Sequence, residues 1–313
     1  MFFVACLPAG RYNDLMKKKY ILLFAGFLIA LNIFFWKEVF ALNQSRILKV
    51  DFLDVGQGDS VFIETPEGHQ IIIDGGPSSV LLEKLAERMP FWDKTIDLVI
   101  LTHPEKDHMT GILDVLQRYK VDYFLWTGII KNNAENKKLA ELLNNAKNTK
   151  PDFLASLFRA SATKVIAVSA DEKIKAGKVS IDILYPFENL EGQEPKNTND
   201  TSVVSKLVFG NTKFIFTGDI SSAAERKIVK SGKNILADIL KVAHHGSKYS
   251  TSDLFLENAK PKIAVISVGK GNSYGHPTPE VLQKLEKSGI KTLRTDTDGD
   301  INMVSDGKNI YLK

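Results

Sequence analysis

The sequence predicts one α+β domain, two β-sheets packed together with helices outside, behind an N-terminal hydrophobic segment. Three observations carry that prediction. Short runs rich in β-branched and aromatic residues alternate with amphipathic segments from Ile47 onward. The texture of the first half, strands first and helices then interleaved, returns in the second half. No linker-like stretch divides the halves, since Gly192–Thr198 (GQEPKNT) reads only as a loop.

The elements follow in order. ILKVDFLDV, SVFIET and QIIIDGG read as three strands joined by tight turns, and VLLEKLAERM as a helix with Leu81, Leu82, Leu85 and Met89 on one face. DLVIL, YFLW, KVIAVS and VSIDILY are expected strands, interrupted by helices around Lys137–Lys147 and Pro151–Arg159. VVSKLVFG and KFIFTGD form a hairpin across Gly210-Asn211. Helix SAAERKIVKSG, strand ADILKVA, helix SDLFLENA, strand KIAVIS, helix TPEVLQKLEKSG and strands KTLRT and DINMVS complete the chain.

Residues 1–42 stand apart as a leader. Lys17-Lys18-Lys19 precede Tyr20–Trp36, 17 residues without a charge. Such a segment inserts in a bilayer with its basic end retained in the cytoplasm. Val39-Phe40-Ala41 has the small-residue spacing of a signal-peptidase site, so a cleaved signal and an uncleaved anchor both fit. A start at Met16 would leave a short basic leader. On either reading the domain, residues 43–313, is expected to be extracytoplasmic.

Composition narrows the chemistry. The 313 residues are 44% hydrophobic and 25% charged, which suits a sizeable core. The formal charge of +4 is concentrated in the leader, leaving the domain near +1 and without the global basic excess common in nucleic-acid binders. Any polyanion must therefore meet a local patch or a metal. Cys6 is the only cysteine, so domain disulfides and thiolate ligands are excluded and only N and O donors remain.

Those donors cluster. LTHPEKDHMTG places His103, Glu105, Asp107 and His108 within six residues, straight after DLVIL. Read as an extended loop, the stretch points His103, Glu105 and Asp107 to one side, with a turn bringing in His108. In DVGQGDS and IDGG, Asp54, Asp59 and Asp74 sit beside glycines at strand ends. Turn chemistry is an open alternative for Asp54 and Asp59, whereas Asp74 ends a buried β-branched run and reads as a supporting carboxylate. Asp219 ends an apolar strand in FTGD, and a buried carboxylate there calls for a cation. His244 and His245 end another strand in KVAHHGS, and His276 lies in the constrained loop NSYGHP.

Taken together, DVGQGDS, IDGG, THPEKDH, NDTS (Asn199–Ser202), FTGD, VAHHGS and NSYGHP resemble the metallo-β-lactamase superfamily. Within it they resemble the hydrolase domain of ComEC-type competence DNA-uptake proteins, over residues 47–305. The resemblance implies a four-layer αββα sandwich with two divalent ions at the sheet edges, and phosphodiester hydrolysis, of DNA. It assigns His103 and position 105 to one metal, Asp107 and His108 to the second, and Asp219 to both. The second metal is completed by His245, with His244 close behind. Asn199, Ser202 and Ser247 are expected to support these groups or the substrate.

Two departures stand out. Glu105 occupies a position where the usual motif has histidine, and no histidine occurs from 109 to 243, where Asn199, Asp200 and Ser202 stand instead. Oxygen-rich shells shift preference from zinc toward manganese or magnesium, so Zn²⁺ or Mn²⁺ is expected, with Mn²⁺ favoured. The implied mechanism is attack by a metal-activated hydroxide, oriented by Asp107 or Asp219. Lys248 and His276 would contact phosphate, and His276 could protonate the leaving oxygen.

The expected activity is thus an exported metal-dependent nuclease. The alternatives are an envelope phosphodiesterase of the phosphocholine-esterase kind and a surface binding module with a degenerate metal site. With one hydrophobic segment the chain is not itself a pore, and a role in DNA uptake would need a separate channel as partner.

Overall fold

Ile71 and Ile73 face one core while Ile72 faces another, and this alternation, repeated strand by strand, sets the layers. The structure is a computed structural model that describes residues 9–44, 47–148 and 162–313. The helix expected at Pro151–Arg159 lies outside the described residues. Two units divide the chain, Met1–Arg46 and Ile47–Lys313. In the first, helix α1 (Ala9–Gln44) contains Lys17–Lys37, 21 residues of mean hydropathy 1.9. At 1.5 Å per residue that stretch is about 30 Å long, enough by length and composition to cross a bilayer.

In the second unit, eight strands form one sheet and seven the other among the described residues. The first comprises β1 (Leu48–Phe52), β2 (Val61–Glu64), β3 (Gln70–Ile73), β4 (Thr95–Ile100), β5 (Lys120–Trp126) and β6 (Lys164–Ala167). Strands β14 (Ile301–Ser305) and β15 (Ile310–Leu312) extend it beside β1. The second runs from β7 (Lys173–Ala176) through β8 (Val179–Tyr185), β9 (Val204–Phe209), β10 (Thr212–Phe216), β11 (Ile239–Lys241) and β12 (Ile263–Ile266) to β13 (Lys291–Arg294). Val50, Phe52, Ile63, Ile71, Ile183, Leu207, Phe214 and Phe216 fill the space between the sheets. There Phe52 meets Phe216 across the interface at 6.0 Å between ring centroids.

Helices cover both outer faces. Leu81 and Leu85 of α2 (Val80–Arg88), Met109, Ile112 and Val115 of α3 (Lys106–Arg118), and Leu139 and Leu143 of α4 (Ala134–Asn148) pack with Phe62, Ile72, Val99 and Phe124. On the other side, Ala224 and Ile228 of α5 (Ser222–Lys230), Phe255 and Leu256 of α6 (Asp253–Ala259), and Val281 and Leu285 of α7 (Pro279–Lys287) pack with Ile215, Leu240 and Ala264. The expected four layers are present.

Three differences from the sequence reading matter. The stretch read as an extended loop turns helical at Lys106, so Asp107 and His108 open α3. Gly111 obscures that helix in the sequence, because glycine disfavours helices. Its role is close approach: a Cβ on Gly111 would lie 2.0 Å from the Gly75 carbonyl oxygen. Second, the two halves are not separate sheets, since β14 crosses back to pair with β1, Leu48 opposite Ser305. Third, the edge strands β7 and β15, of four and three residues, are too short for their pattern to register in the sequence.

Strands β3, β4 and β5 run parallel, as do β10, β11 and β12. Carboxyl ends of parallel strands are where open sheets place ligands. Here the carboxyl ends of both blocks meet on one rim of the sandwich.

Candidate metal centre

Every histidine and carboxylate of interest projects from that rim. Asp74 directly follows β3, His103 follows β4 by three residues, Asp219 follows β10 by three, and His244 and His245 follow β11. Asp74, His244 and His245 have φ of 59°, 50° and 53°, in the left-handed region. Such a conformation costs a non-glycine residue about 1–2 kcal/mol. Strain of this kind persists where the surroundings enforce it, and it gathers at functional sites.

Asp107, His108, Asp219 and His245 converge, each offering one ligand atom within 4.8 Å of the others. His108 Nε2 lies 3.3 Å from Asp219 Oδ2 and 4.0 Å from Asp107 Oδ2. His245 Nε2 lies 3.2 Å from Asp107 Oδ2 and 3.6 Å from Asp219 Oδ2. At the margin, His244 Nε2 is 3.9 Å from Asp219 Oδ2, and the His103 ring is 4.2 Å from that of His108.

The hydrogen bonds behind the imidazoles fix which nitrogen faces inward. Thr102 donates its hydroxyl proton to Asp74 Oδ2 at 2.7 Å, and Ser202 donates its own to the Asn199 carbonyl at 2.7 Å. With those protons committed, both hydroxyls act as acceptors toward His103 Nδ1, at 3.1 and 3.2 Å, so Nδ1 carries hydrogen. His108 donates Nδ1–H to Asp74 at 2.8 Å, and His245 donates Nδ1–H to the Ser267 carbonyl at 2.8 Å. His108 and His245 therefore aim Nε2 at the centre, and His103 beside them keeps Nε2 free. The Nε2 atoms of His103 and His108 and Oδ1 of Asp219 are buried without a hydrogen-bond partner. Outer hydrogen bonds that orient imidazoles in this way accompany metal ligation.

Electrostatics agree with the donor set. Burial pushes His103 down to about 3, helped by His108, so its ring is neutral. Burial opposes charge on His245 as well, yet Asp219 and Asp59 hold it up at about 10. His108 is likewise raised against its burial by Asp219, Asp74 and Asp59. Asp107 and Asp219 are lowered despite burial, through the facing histidines. Imidazole nitrogens and carboxylate oxygens pointing at one spot demand positive charge there, and a divalent cation supplies it while leaving Nε2 free to coordinate. The residues present fit such an ion.

Residues 53–270 match the metallo-beta-lactamase superfamily. The chain belongs to that superfamily. It is 32% identical over 270 residues to ComE operon protein 3 of Bacillus subtilis (strain 168), covering 81% of this chain and 32% of that protein. Competence protein ComA of Neisseria gonorrhoeae is 27% identical over 282 residues, covering 89% of this chain and 34% of the relative. The chain thus spans about a third of the length of these curated relatives. The metallo-beta-lactamase fold protein YhfI of B. subtilis superposes with a TM-score of 0.53 at 14% identity, over 83% of this chain and 99% of that one, and shares the fold.

Within this metallo-beta-lactamase domain the other expected residues divide. Glu105 takes the N-cap position of α3, and its Oε1 accepts from the Lys131 ammonium and the Thr198 hydroxyl, outside the converging group. Asp59 is buried and ion-paired with Lys241, a fully buried lysine of β11, and lies 3.3 Å from His245 Nδ1. Asp54 is a turn residue that accepts from Gly56 N–H. Ser202 also accepts from Asp219 N–H at 3.1 Å, Asn199 Nδ2 stands 3.4 Å from His244 Nε2, and Ser247 closes the turn after the two histidines. The His276 ring is 5.6 Å from that of His244, and Lys248 is exposed, its ammonium over the Tyr249 ring. Sequence reasoning did not single out Thr102, Lys131, Lys241 or Ser267. Of these, only Lys241 carried a signal, a lone charge in an apolar strand.

Proposed function

We propose that this chain is a metal-dependent phosphodiesterase that cleaves DNA outside the cytoplasmic membrane, held there by Lys17–Lys37. The observation that carries the reading is the convergence of four donors, Asp107, His108, Asp219 and His245, with the Nε2 atoms of His108 and the adjacent His103 buried without a hydrogen-bond partner. Bound divalent cations supply Lewis acidity, lowering the pKa of a coordinated water and drawing charge from a phosphoryl oxygen. His108, His245, Asp107 and Asp219 would hold one ion. His103 and the second face of Asp219 are the donors left for another, which would bind more weakly because Glu105 is turned to Lys131. Two carboxylates beside the imidazoles favour Mn²⁺ over Zn²⁺.

Asp107 is the carboxylate of the group open to solvent, with 34% of its side chain exposed, and it orients the attacking water. Burial and the neighbouring His244 push His276 down, so its ring is neutral. A neutral ring suits donating N–H to a phosphate oxygen better than delivering a proton. Lys248 on the rim offers a cation to the flanking phosphate. Tyr249 and Tyr274 are 68% and 69% exposed on the loops bearing Lys248 and His276, and Tyr274 stacks on His276. Exposed aromatic faces beside a cluster suit unpaired bases, which favours a nucleic acid over a small phosphodiester. Three lysines before the apolar stretch of α1 support retention of its amino end in the cytoplasm. The competence relatives make DNA the natural choice of polymer.

The test is turnover of single-stranded DNA, plasmid and bis-p-nitrophenyl phosphate with Mn²⁺ or Zn²⁺. The reading expects DNA cleavage that Asp107→Ala abolishes with the fold retained. Cleavage of the small ester alone would move the substrate to an envelope phosphodiester. No turnover of any of the three by metal-loaded protein would leave a binding module.

A further inference from the structure

The end of the sandwich opposite the metal rim carries a feature that hydrolysis does not use. Strand β2 is antiparallel to both β1 and β3, and β3 is parallel to β4 and β4 to β5, so β1, β3, β4 and β5 share one direction. Their carboxyl ends lead to Asp59, Asp74 and His103, and their amino ends lie together at the far end. Two things meet there. The chain enters the domain at Ile47, ten residues after Lys37, a reach of at most about 35 Å even when extended. The loop leading into β4 projects Phe91 and Trp92, 81% and 72% exposed, their rings edge to face at 4.9 Å.

Single exposed hydrophobic residues are ordinary on a protein surface. Two adjacent aromatics at a loop tip, both exposed over most of their surface, forgo the burial that would stabilise them. The neighbouring turns carry both signs, with Glu67, Asp93 and Asp306 beside three lysines. Lys94 on the same loop, Lys178 beside Gly177 and Lys308 beside Gly307 are all exposed. Gly177 abuts Glu67 of the β2–β3 turn, and the Gly307 carbonyl accepts from Asn211 N–H, which places both turns at this end. Asp93 and Asp306 are tied into their own turns, accepting from Thr95 N–H and Gln70 and from the Lys308 and Asn309 amides.

We propose that the Phe91–Trp92 tip is a bilayer contact, seated in the headgroup region. The proposal rests on the anchoring of Lys17–Lys37 proposed above. Trp and Phe at a loop tip suit the interface, one part apolar and one part wet. The contact sets an orientation: the metal rim faces away from the membrane, open to a polymer arriving from solution.

The test uses the full chain reconstituted in phosphatidylcholine vesicles. A variant carrying Trp36→Phe and Trp126→Phe leaves Trp92 as the sole tryptophan. Lipid brominated near the headgroup should quench Trp92 emission at least twofold, and iodide should lose access to it. Phe91→Ser should reduce the bromolipid quenching while metal-dependent turnover is unchanged. Release of the chain by alkaline carbonate would overturn the anchoring and this contact with it. Retention with Trp92 still open to iodide would overturn the contact alone. Trp92 shielded from both quenchers, as a protein partner or second copy covering the tip would give, also overturns it.

Discussion

Asp74→Asn is the sharpest probe of how the site is built, because it alters one atom that no substrate reaches. Asp74 is 1% exposed and accepts three hydrogen bonds: Thr102 N–H at 2.8 Å, the Thr102 hydroxyl at 2.7 Å and His108 Nδ1–H at 2.8 Å. Asparagine offers one oxygen and one NH₂. If the NH₂ replaces Oδ1 it confronts a backbone N–H, and a buried donor left without an acceptor costs about 1–3 kcal/mol. If it replaces Oδ2 it confronts His108 Nδ1–H and drives that ring to the other tautomer, placing hydrogen on Nε2 where the cation needs a lone pair. Even in the first orientation a neutral amide oxygen replaces the carboxylate that makes His108 a stronger ligand, so both outcomes weaken metal binding. Loss of such an orienting partner typically weakens metal affinity 10–100-fold, or about 1.4–2.7 kcal/mol. Competition against a chelator dye reads the Mn²⁺ dissociation constant, and thermal melts of the metal-free protein read the structural cost. A folded Asp74→Asn protein that binds Mn²⁺ within twofold of wild type would refute the assigned role of Asp74.

Three more predictions follow from the same geometry. Glu105→Gln keeps a partner for Lys131 and Thr198 and should leave the Mn²⁺ dissociation constant within about threefold, against the 10–100-fold loss expected for an orienting group; a larger loss in the same dye assay would return Glu105 to the ligand set. Tyr274→Ala should raise KM for single-stranded DNA about tenfold, the effect of one lost base stack of about 1–3 kcal/mol, while leaving bis-p-nitrophenyl phosphate unchanged; steady-state kinetics on both substrates decides. Asp300 accepts from Arg88 and Asp54 N–H and pairs with Lys84, and these contacts lower its carboxyl against the effect of burial. Because the folded carboxyl titrates below the unfolded one, its stabilisation is full above the ordinary carboxylate range and is lost as pH falls through the folded pKa. Asp300→Asn should therefore cost about 1–2 kcal/mol at pH 7, discounted for partial exposure, and the two proteins should converge in urea melts taken in acid.

Much of this was legible because the physics is local. The apolar run in QIII, the alternation in KVDF and the i, i+4 spacing of Leu81 and Leu85 report burial directly. The ligand-bearing turns were legible because carboxylates and imidazoles at strand ends have few other uses. What stayed hidden depends on partners distant in the chain. Nothing in INMVS says that it pairs with β1, and nothing in DVGQGDS says that Asp59 meets Lys241 rather than capping its own turn. Helix α3 was masked by Gly111, whose use becomes apparent only when Gly75 lies against it. The orientation of Glu105 could not be read either, because Lys131 and Thr198 come from separate segments.

The central claim is that His108, His245, Asp107 and Asp219 hold a divalent cation. Anomalous diffraction from crystals grown with Mn²⁺, recorded at the manganese edge, tests it most directly. The account predicts a strong peak bonded to Nε2 of both histidines and to both carboxylates, with any second, weaker peak on the His103 side of Asp219. Full-length protein crystallised with Mn²⁺ and giving no peak there, or its strongest peak at Glu105 or on the surface, would contradict it.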